Sequence, residues 1–593
     1  MIIASDDSLH AMTFDTIISG GRVVDGTGSP AFHADVGIID GKVAAIGHLA
    51  RKSSKQVIDA TGKIVAPGHV TQHSHYDVAL FWDPYCSNSG ENGVTTVVNA
   101  NCGFGVAPVR PRDIERTMQM LETTEQIPVA HQRSALPWDW ESFPEYLARV
   151  DELPKGVNVL TYLPLNPLLV YVMGIDAAKT RRPTAAEMTE MHRLINEAMD
   201  AGAIGISMSA MGTEGNSHVD FDGSPMPTDV LDHDVILDIG RAVIERGEGV
   251  IQLLSHIITY GDRSISERMG EIARGSGVRL MHNSFLPIDR LPEKTTENLA
   301  WLDAQRAKGC DSTVSSLLHR GWLESGLRQL DVPAGQLAAV RKICACNSDE
   351  EVMRLVANPE FQRAFVEEYA ARGPTHGAGL EGQTVIDLGD NPALARYLNR
   401  TLLEIAQQEG RDVVTVLLDL ALRSRLALQL KSGQIIATDP AQIIRLMAHC
   451  AVVGGSSDGG AHTKSFGVGH YATDLLLWLV REEKRMSLED MHFQLALKPA
   501  RAVQIYDRGA LLPGYWADIL IYDLDDLYFD RQRYQIVHDM PNGDWRRKGR
   551  AGGYDYILVN GVVTHRRDVP TGATPGRLVR TCEDRRRPQV AAA

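Results

Sequence analysis

The sequence predicts a (β/α)8 barrel joined to a small β-sandwich built from both chain ends. Two observations carry this. Eight short β-rich or apolar runs alternate with helical patterns through the middle of the 593-residue chain, the order a parallel barrel requires. Hairpin signals crowd both ends, yet neither end has enough strands to form two layers alone, so the two sets are expected to combine.

Residues 1–11 read as a loose tail. Phe14-Asp-Thr-Ile-Ile-Ser-Gly-Gly-Arg-Val-Val-Asp-Gly gives a strand, a Gly-Gly turn and a second strand. Asp35-Val-Gly-Ile-Ile-Asp-Gly-Lys-Val repeats the pattern around Asp40-Gly41, and Val57-Ile-Asp-Ala-Thr-Gly-Lys-Ile-Val closes the N-terminal set. At the far end, Gly514-Tyr-Trp-Ala-Asp-Ile-Leu-Ile-Tyr-Asp reads as a strand and Tyr556-Ile-Leu-Val-Asn-Gly-Val-Val-Thr as a hairpin. Residues 12–66 and 509–577 are therefore expected to form the sandwich. Barrel strands are expected at 68–75, 94–102, 157–163, 204–209, 249–255, 278–284, 311–316 and 450–457, within a barrel over 67–508. Its clearest helix runs from Thr184 to Ala201. Thr184 and Glu187 make a capping box, Met188, Met191, Ile195 and Met199 make an apolar stripe, and Gly202 ends it. A helical insertion is expected near 325–400, with patterns at Asp349–Val356 and Pro359–Ala371, and the polar, basic residues 578–593 read as a second tail.

Composition narrows the function. Hydrophobic residues make up 44% and charged residues 23%, as in a soluble globular chain. The formal net charge of −15 argues against nucleic-acid or anionic-membrane partners and favours a small-molecule substrate. Seven cysteines, with only Cys344 and Cys346 closely spaced, fit a reducing compartment, and Met1-Ile-Ile-Ala-Ser-Asp-Asp lacks the basic start of a secretory signal, so a cytoplasmic location is expected. No apolar run approaches the 18 or so residues of a membrane span.

The residues that can carry chemistry fall at strand ends. His73 and His75, in Gly68-His-Val-Thr-Gln-His-Ser-His-Tyr-Asp, are two apart at the end of the first barrel strand, which places both imidazoles on one face where barrel enzymes keep their sites. Together they can bind a divalent metal. Cys102 ends the second strand, where a thiolate can ligate zinc or bridge two ions. His256 and His282 end the fifth and sixth strands and can add imidazoles, although Gln252 competes with His256 for an inward position. Asp458, between glycines at the end of the last strand, can lie over a metal and move a proton, and His462 can touch substrate. Singly, each has a plainer reading: solvated loop histidines, a small buried thiol, a core histidine, an Asp-Gly turn. Gly202-Ala-Ile-Gly-Ile-Ser-Met-Ser lacks the lysine and spacing of a phosphate loop.

Taken together, Ile17-Ile-Ser-Gly-Gly-Arg-Val-Val-Asp-Gly-Thr-Gly, Ile58 through Asp77, Gly93-Val-Thr-Thr-Val-Val-Asn-Ala-Asn-Cys-Gly, Gly455-Ser-Ser-Asp-Gly and Gly509-Ala-Leu-Leu-Pro-Gly-Tyr-Trp-Ala-Asp-Ile resemble the metal-dependent amidohydrolase superfamily, in particular its D-aminoacylase (N-acyl-D-amino-acid deacylase) branch. The resemblance runs from about residue 14 to 577. It implies a barrel plus sandwich and one or two Zn2+ ions held by His73, His75 and Cys102, with His256 and His282 as further ligands. It also implies Asp458 as general base and hydrolysis of an amide C–N bond. A homo-oligomer is expected by analogy only. The chain departs from the branch in two places. Leu163-Pro-Leu-Asn-Pro stands where the branch has Gly-His-Gly and a downstream arginine. Val250-Ile-Gln-Leu-Leu-Ser-His-Ile replaces Tyr-x-x-His-x-Arg. Two other functions remain open: hydrolysis of another amide, a cyclic amide or a lactone on the same site, and a non-catalytic assembly protein that keeps the scaffold.

Overall fold

The computed structural model describes residues 13–49, 52–213, 218–255, 262–289, 291–330, 337–346, 348–372, 379–434, 438–467 and 469–580. The fold is mixed α/β.

Both chain ends enter one nine-stranded sheet. Its order is Val569–Pro570, Val562–Arg566, Tyr554–Val559, Ile519–Tyr522, Ile64–Pro67, Thr13–Val23, Phe32–Ile39 and Lys42–Gly47, with Ser53–Asp59 also paired to Thr13–Val23. The two ends meet where Ile519–Tyr522 runs antiparallel to Ile64–Pro67, Ile519 opposite Pro67. Apolar side chains from both ends share one buried cluster, among them Ile18, Val36, Ile519 and Leu558. Buried Arg508 and Asp518 form an ion pair at 2.5 Å. Asn560 accepts from Arg508 and donates to Asn158, which ties this sheet to the strand Asn158–Thr161. Removing one partner of such a buried pair would strand the other charge away from water.

The middle of the chain supplies parallel strands with helices between them. Six pair in the order Leu163–Pro164, Gly205–Ala210, Val250–Ser255, Arg279–Phe285, Ser312–Ser316 and Val452–Gly454. Three pair as His69–Thr71, Val94–Asn99 and Asn158–Thr161. Ser456–Gly459 pairs with His73–Ser74. The predicted strands all appear within a few residues of their expected positions. Three of them (the first, third and last) are each interrupted at one residue, Gln72, Tyr162 or Gly455. The helix Ala185–Ala201 carries the expected capping box of Thr184 and Glu187.

A separate apolar cluster runs from Leu327 to Leu430. It packs the helices Ala338–Cys344, Asp349–Val356, Pro359–Arg372, Leu402–Glu409 and Val413–Arg423 beside a three-stranded sheet. The excursion reaches past residue 400 because Leu428–Lys431 returns to pair with Glu324–Ser325. Among the described residues, no helix is long and apolar enough to cross a membrane.

Candidate metal centre

Three side chains from two strand ends converge. His73 Nε2 lies 3.2 Å from His75 Nε2 and 3.6 Å from Cys102 Sγ, and the three possible ligand atoms all fall within 4.8 Å of one another. Two nitrogens and a sulfur bound tetrahedrally to one zinc-sized ion would stand roughly 3.3–3.6 Å apart. The spacing and the donor chemistry therefore fit a single divalent ion. Asp458 Oδ1 adds a carboxylate 3.1 Å from His73 Nε2 and 4.0 Å from His75 Nε2.

The backbone explains the convergence. The pairing of Ser456–Gly459 with His73–Ser74 sets Ser456 opposite His73 and Gly459 opposite Ser74, so Ser457 and Asp458 bulge between them. Asp458 takes a left-handed conformation, φ 49°, and its side chain stands out over the imidazoles. His75 N donates to Gly459 O at 2.7 Å. The next residue must be glycine: at Gly460, φ +93°, a Cβ would sit 2.4 Å from His75 O. Cys102 lies in a tight turn after Val94–Asn99, and both Ala100 and Cys102 have positive φ. Non-glycine residues held there indicate a conformation over-determined by its surroundings. Cys102 N donates to Gln252 Oε1 at 2.6 Å, Ala100 N to Asp77 Oδ2 at 3.2 Å, and Gly103 N to Ser207 Oγ at 3.1 Å.

Electrostatics favour a bound cation. Burial lowers His73 and His75, so both rings are neutral at pH 7 with lone pairs free to ligate. Burial, with the Glu125 and Asp458 carboxylates, pushes the Cys102 thiol well up. A hydrogen bond from Asn283 favours its thiolate, and a coordinated metal is a nearby positive charge that would favour it further.

The other expected ligands stand differently. His256 lies outside the described residues. Gln252 holds the Cys102 amide. His282 is 1% exposed, and its ring stands edge-on to Trp301 of the helix Pro292–Ala307, 5.3 Å between centroids. The neighbouring Asn283 reaches the centre instead, its side-chain amide 2.8 Å from His73 Nδ1. Adjacent strand residues face opposite ways, so one residue of register decides which of the two points inward. The Asn283 atom that faces His73 Nδ1 is Nδ2; with the amide turned over, its oxygen would accept from a protonated Nδ1 and leave the Nε2 lone pair for a metal. His462 N donates to Glu125 O at 2.7 Å, and its ring lies 3.1 Å from Gln126 Oε1.

The sequence reading missed Asn283 and Glu125. Glu125 ends the helix Ile114–Glu125, is 3% exposed, and has its carboxylate 3.5 Å from His75 Nε2. A sequence signal existed, since Glu125 continues the inward stripe of Met118 and Leu121.

Burial depresses His282 to about 4, against about 6.5 in an unfolded chain. Between these values the unfolded state holds a proton that the fold excludes. His282 therefore adds stability in full above pH 6.5, and this is lost as pH falls towards 4, about 3 kcal/mol in all. Urea unfolding of His282→Leu should show a flatter loss of stability over that interval than the parent protein.

Residues 56–221 match the profile described as the amidohydrolase family. An N-acyl-D-glutamate deacylase of Alcaligenes xylosoxydans xylosoxydans is 26% identical over 577 residues, covering 95% of this chain and 96% of that enzyme. An uncharacterized protein of Mycobacterium tuberculosis is 36% identical over 208 residues, but the match spans only 34% of that protein's length and 34% of this chain. Among solved structures, N-acyl-D-glutamate deacylase from Bordetella bronchiseptica, complexed with zinc and a phosphonate inhibitor, matches with a TM-score of 0.64. It is 23% identical and covers 96% of this chain and 100% of that one. That likeness concerns the fold.

Proposed function

We propose that the protein is a zinc-dependent amidohydrolase that cleaves the amide C–N bond of an N-acyl amino acid, in the manner of the N-acyl-D-amino-acid deacylases. The observation that carries this reading is the convergence of His73, His75 and Cys102 beneath Asp458. The eight strand runs are read as a closed (β/α)8 barrel, supported by the His73–Ser456 pairing between the first run and the last. The terminal sheet is read as folding into two layers at the bulge between Ile18 and Gly21. The free cysteines among the described residues support a reducing, cytoplasmic setting.

His73, His75 and Cys102 would hold the zinc, with Asp458 beside it. The ion, when bound, supplies Lewis-acid polarisation of the carbonyl and acidifies water. Asp458 accepts a proton from the attacking water as its oxygen bonds to the acyl carbon. It returns that proton to the amide nitrogen as the C–N bond breaks, so water and amide become carboxylic acid and amine. His462, on the loop after Asp458, is read as a substrate contact; its backbone N–H donates to Glu125 O. Asn283 fixes the His73 ring, so Asn283→Leu should weaken zinc binding by roughly 10–100-fold, read by chelator competition.

One observation favours a second substrate class. Where the deacylases resembled have Gly-His-Gly and an arginine, Leu163–Pro164 runs into the buried apolar start of the helix Leu165–Met173. A site without that arginine suits a cyclic amide or a lactone. Release of free amine from N-acyl-D- and N-acyl-L-amino acids, with and without added zinc, tests the main reading. Turnover of cyclic amides or lactones alone would favour the second, and no turnover of any of them would overturn both.

A further inference from the structure

Glu125 is a buried carboxylate that finds no compensating lysine or arginine among the described residues. Among the described residues it makes no side-chain hydrogen bond and no ion pair with lysine or arginine, and its one charged-type contact is His75 Nε2 at 3.5 Å. Buried carboxylates are ordinarily paired or bound to a metal. Position makes matters worse. Glu125 is the last residue of its helix, where the exposed carbonyls disfavour negative charge, and the Asp458 and Asp77 carboxylates act on it as well.

The placement is nevertheless built. Gln126, at φ 53°, ends the helix and accepts from Ser465 Oγ at 2.8 Å, while Glu125 O accepts from His462 N. The helix end is thereby fastened to the loop that follows Asp458. On the neighbouring strands, Gln252 Oε1 accepts from the Cys102 amide, Asn283 Nδ2 faces His73 Nδ1, and the His282 ring lies edge-on to Trp301.

We propose that Glu125 ligates the same ion as His73, His75 and Cys102, a carboxylate delivered by a helix that precedes the third strand. It takes a coordination place that strands Val250–Ser255 and Arg279–Phe285 leave unfilled among the described residues. This rests on the zinc reading given above. The ion and the carboxylate then satisfy each other, and the separation of 3.5 Å from His75 Nε2 is that of two ligands on one metal.

The test compares Glu125→Gln with the parent protein, using chelator competition for zinc, the visible spectrum after Co2+ loading, and thermal unfolding of the metal-free forms. Zinc binding should weaken by roughly tenfold or more, and the Co2+ bands should change in position and intensity. The metal-free variant should unfold at the same temperature or higher, because an uncompensated carboxylate has gone. Zinc affinity within about twofold of the parent with an unchanged Co2+ spectrum overturns the proposal. A metal-free variant that unfolds earlier also overturns it, since that marks a structural role. Cys102→Ser, measured alongside, separates the two readings. If it loses zinc and Glu125→Gln does not, only the Glu125 assignment fails. If neither changes zinc binding, the zinc centre itself fails.

Discussion

Asp458→Asn should bind as much zinc per chain as the parent protein and lose roughly 10³–10⁴-fold in kcat. Asparagine has nearly the same shape, and the left-handed backbone at this position tolerates it well. His73, His75 and Cys102 keep their places, so metal content measured on purified protein should not move. What is lost is a group that accepts a proton from water and hands it to the leaving nitrogen. Amine release under saturating substrate reads the effect. A kcat near that of the parent would remove Asp458 from the chemistry and leave it as a bulged residue that steadies the first strand.

Cys102→Ser should lower zinc affinity by at least about 100-fold, because a serine hydroxyl stays protonated where a metal-bound thiol does not. The Co2+-loaded parent should show a sulfur-to-metal charge-transfer band that the variant lacks. The turn itself should persist, since the bond from Cys102 N to Gln252 uses the backbone and not the sulfur. Equal zinc content in the two proteins would separate Cys102 from the metal and break the central argument for this site.

Much of this was legible in the sequence for a physical reason. A strand buried on both faces is a short β-rich run bounded by turns, and all eight runs in the middle of the chain were of that kind. Their ends named His73, His75, Cys102 and Asp458, which the structure brings together. Which way a residue faces within a strand was not legible. His282 and Asn283 differ by one position, and only the register with Val250–Ser255, Leu254 opposite Asn283, shows which one turns inward. Glu125 was hidden for a different reason. Its place on the stripe of Met118 and Leu121 marks it as buried, but nothing local reveals that the end of its helix meets the loop after Asp458. The excursion from Glu324 to Lys431 was seen short because its closing partner is a strand of four residues.

The seam where the two termini join has a bearing on biosynthesis. The segment leading into His69 is covered by Ile519–Tyr522, and Gly68 N donates to Asp518 O at 2.9 Å. These partners leave the ribosome about 450 residues apart, a wait of roughly half a minute to a minute and a half at ordinary elongation rates. Through that interval the edge of Ile64–Pro67 has no neighbour on that side, and an unpaired apolar edge invites contact with other chains. A nascent protein of this design depends on chaperones or on swift completion, and premature termination before residue 519 should yield aggregates in place of a smaller working enzyme.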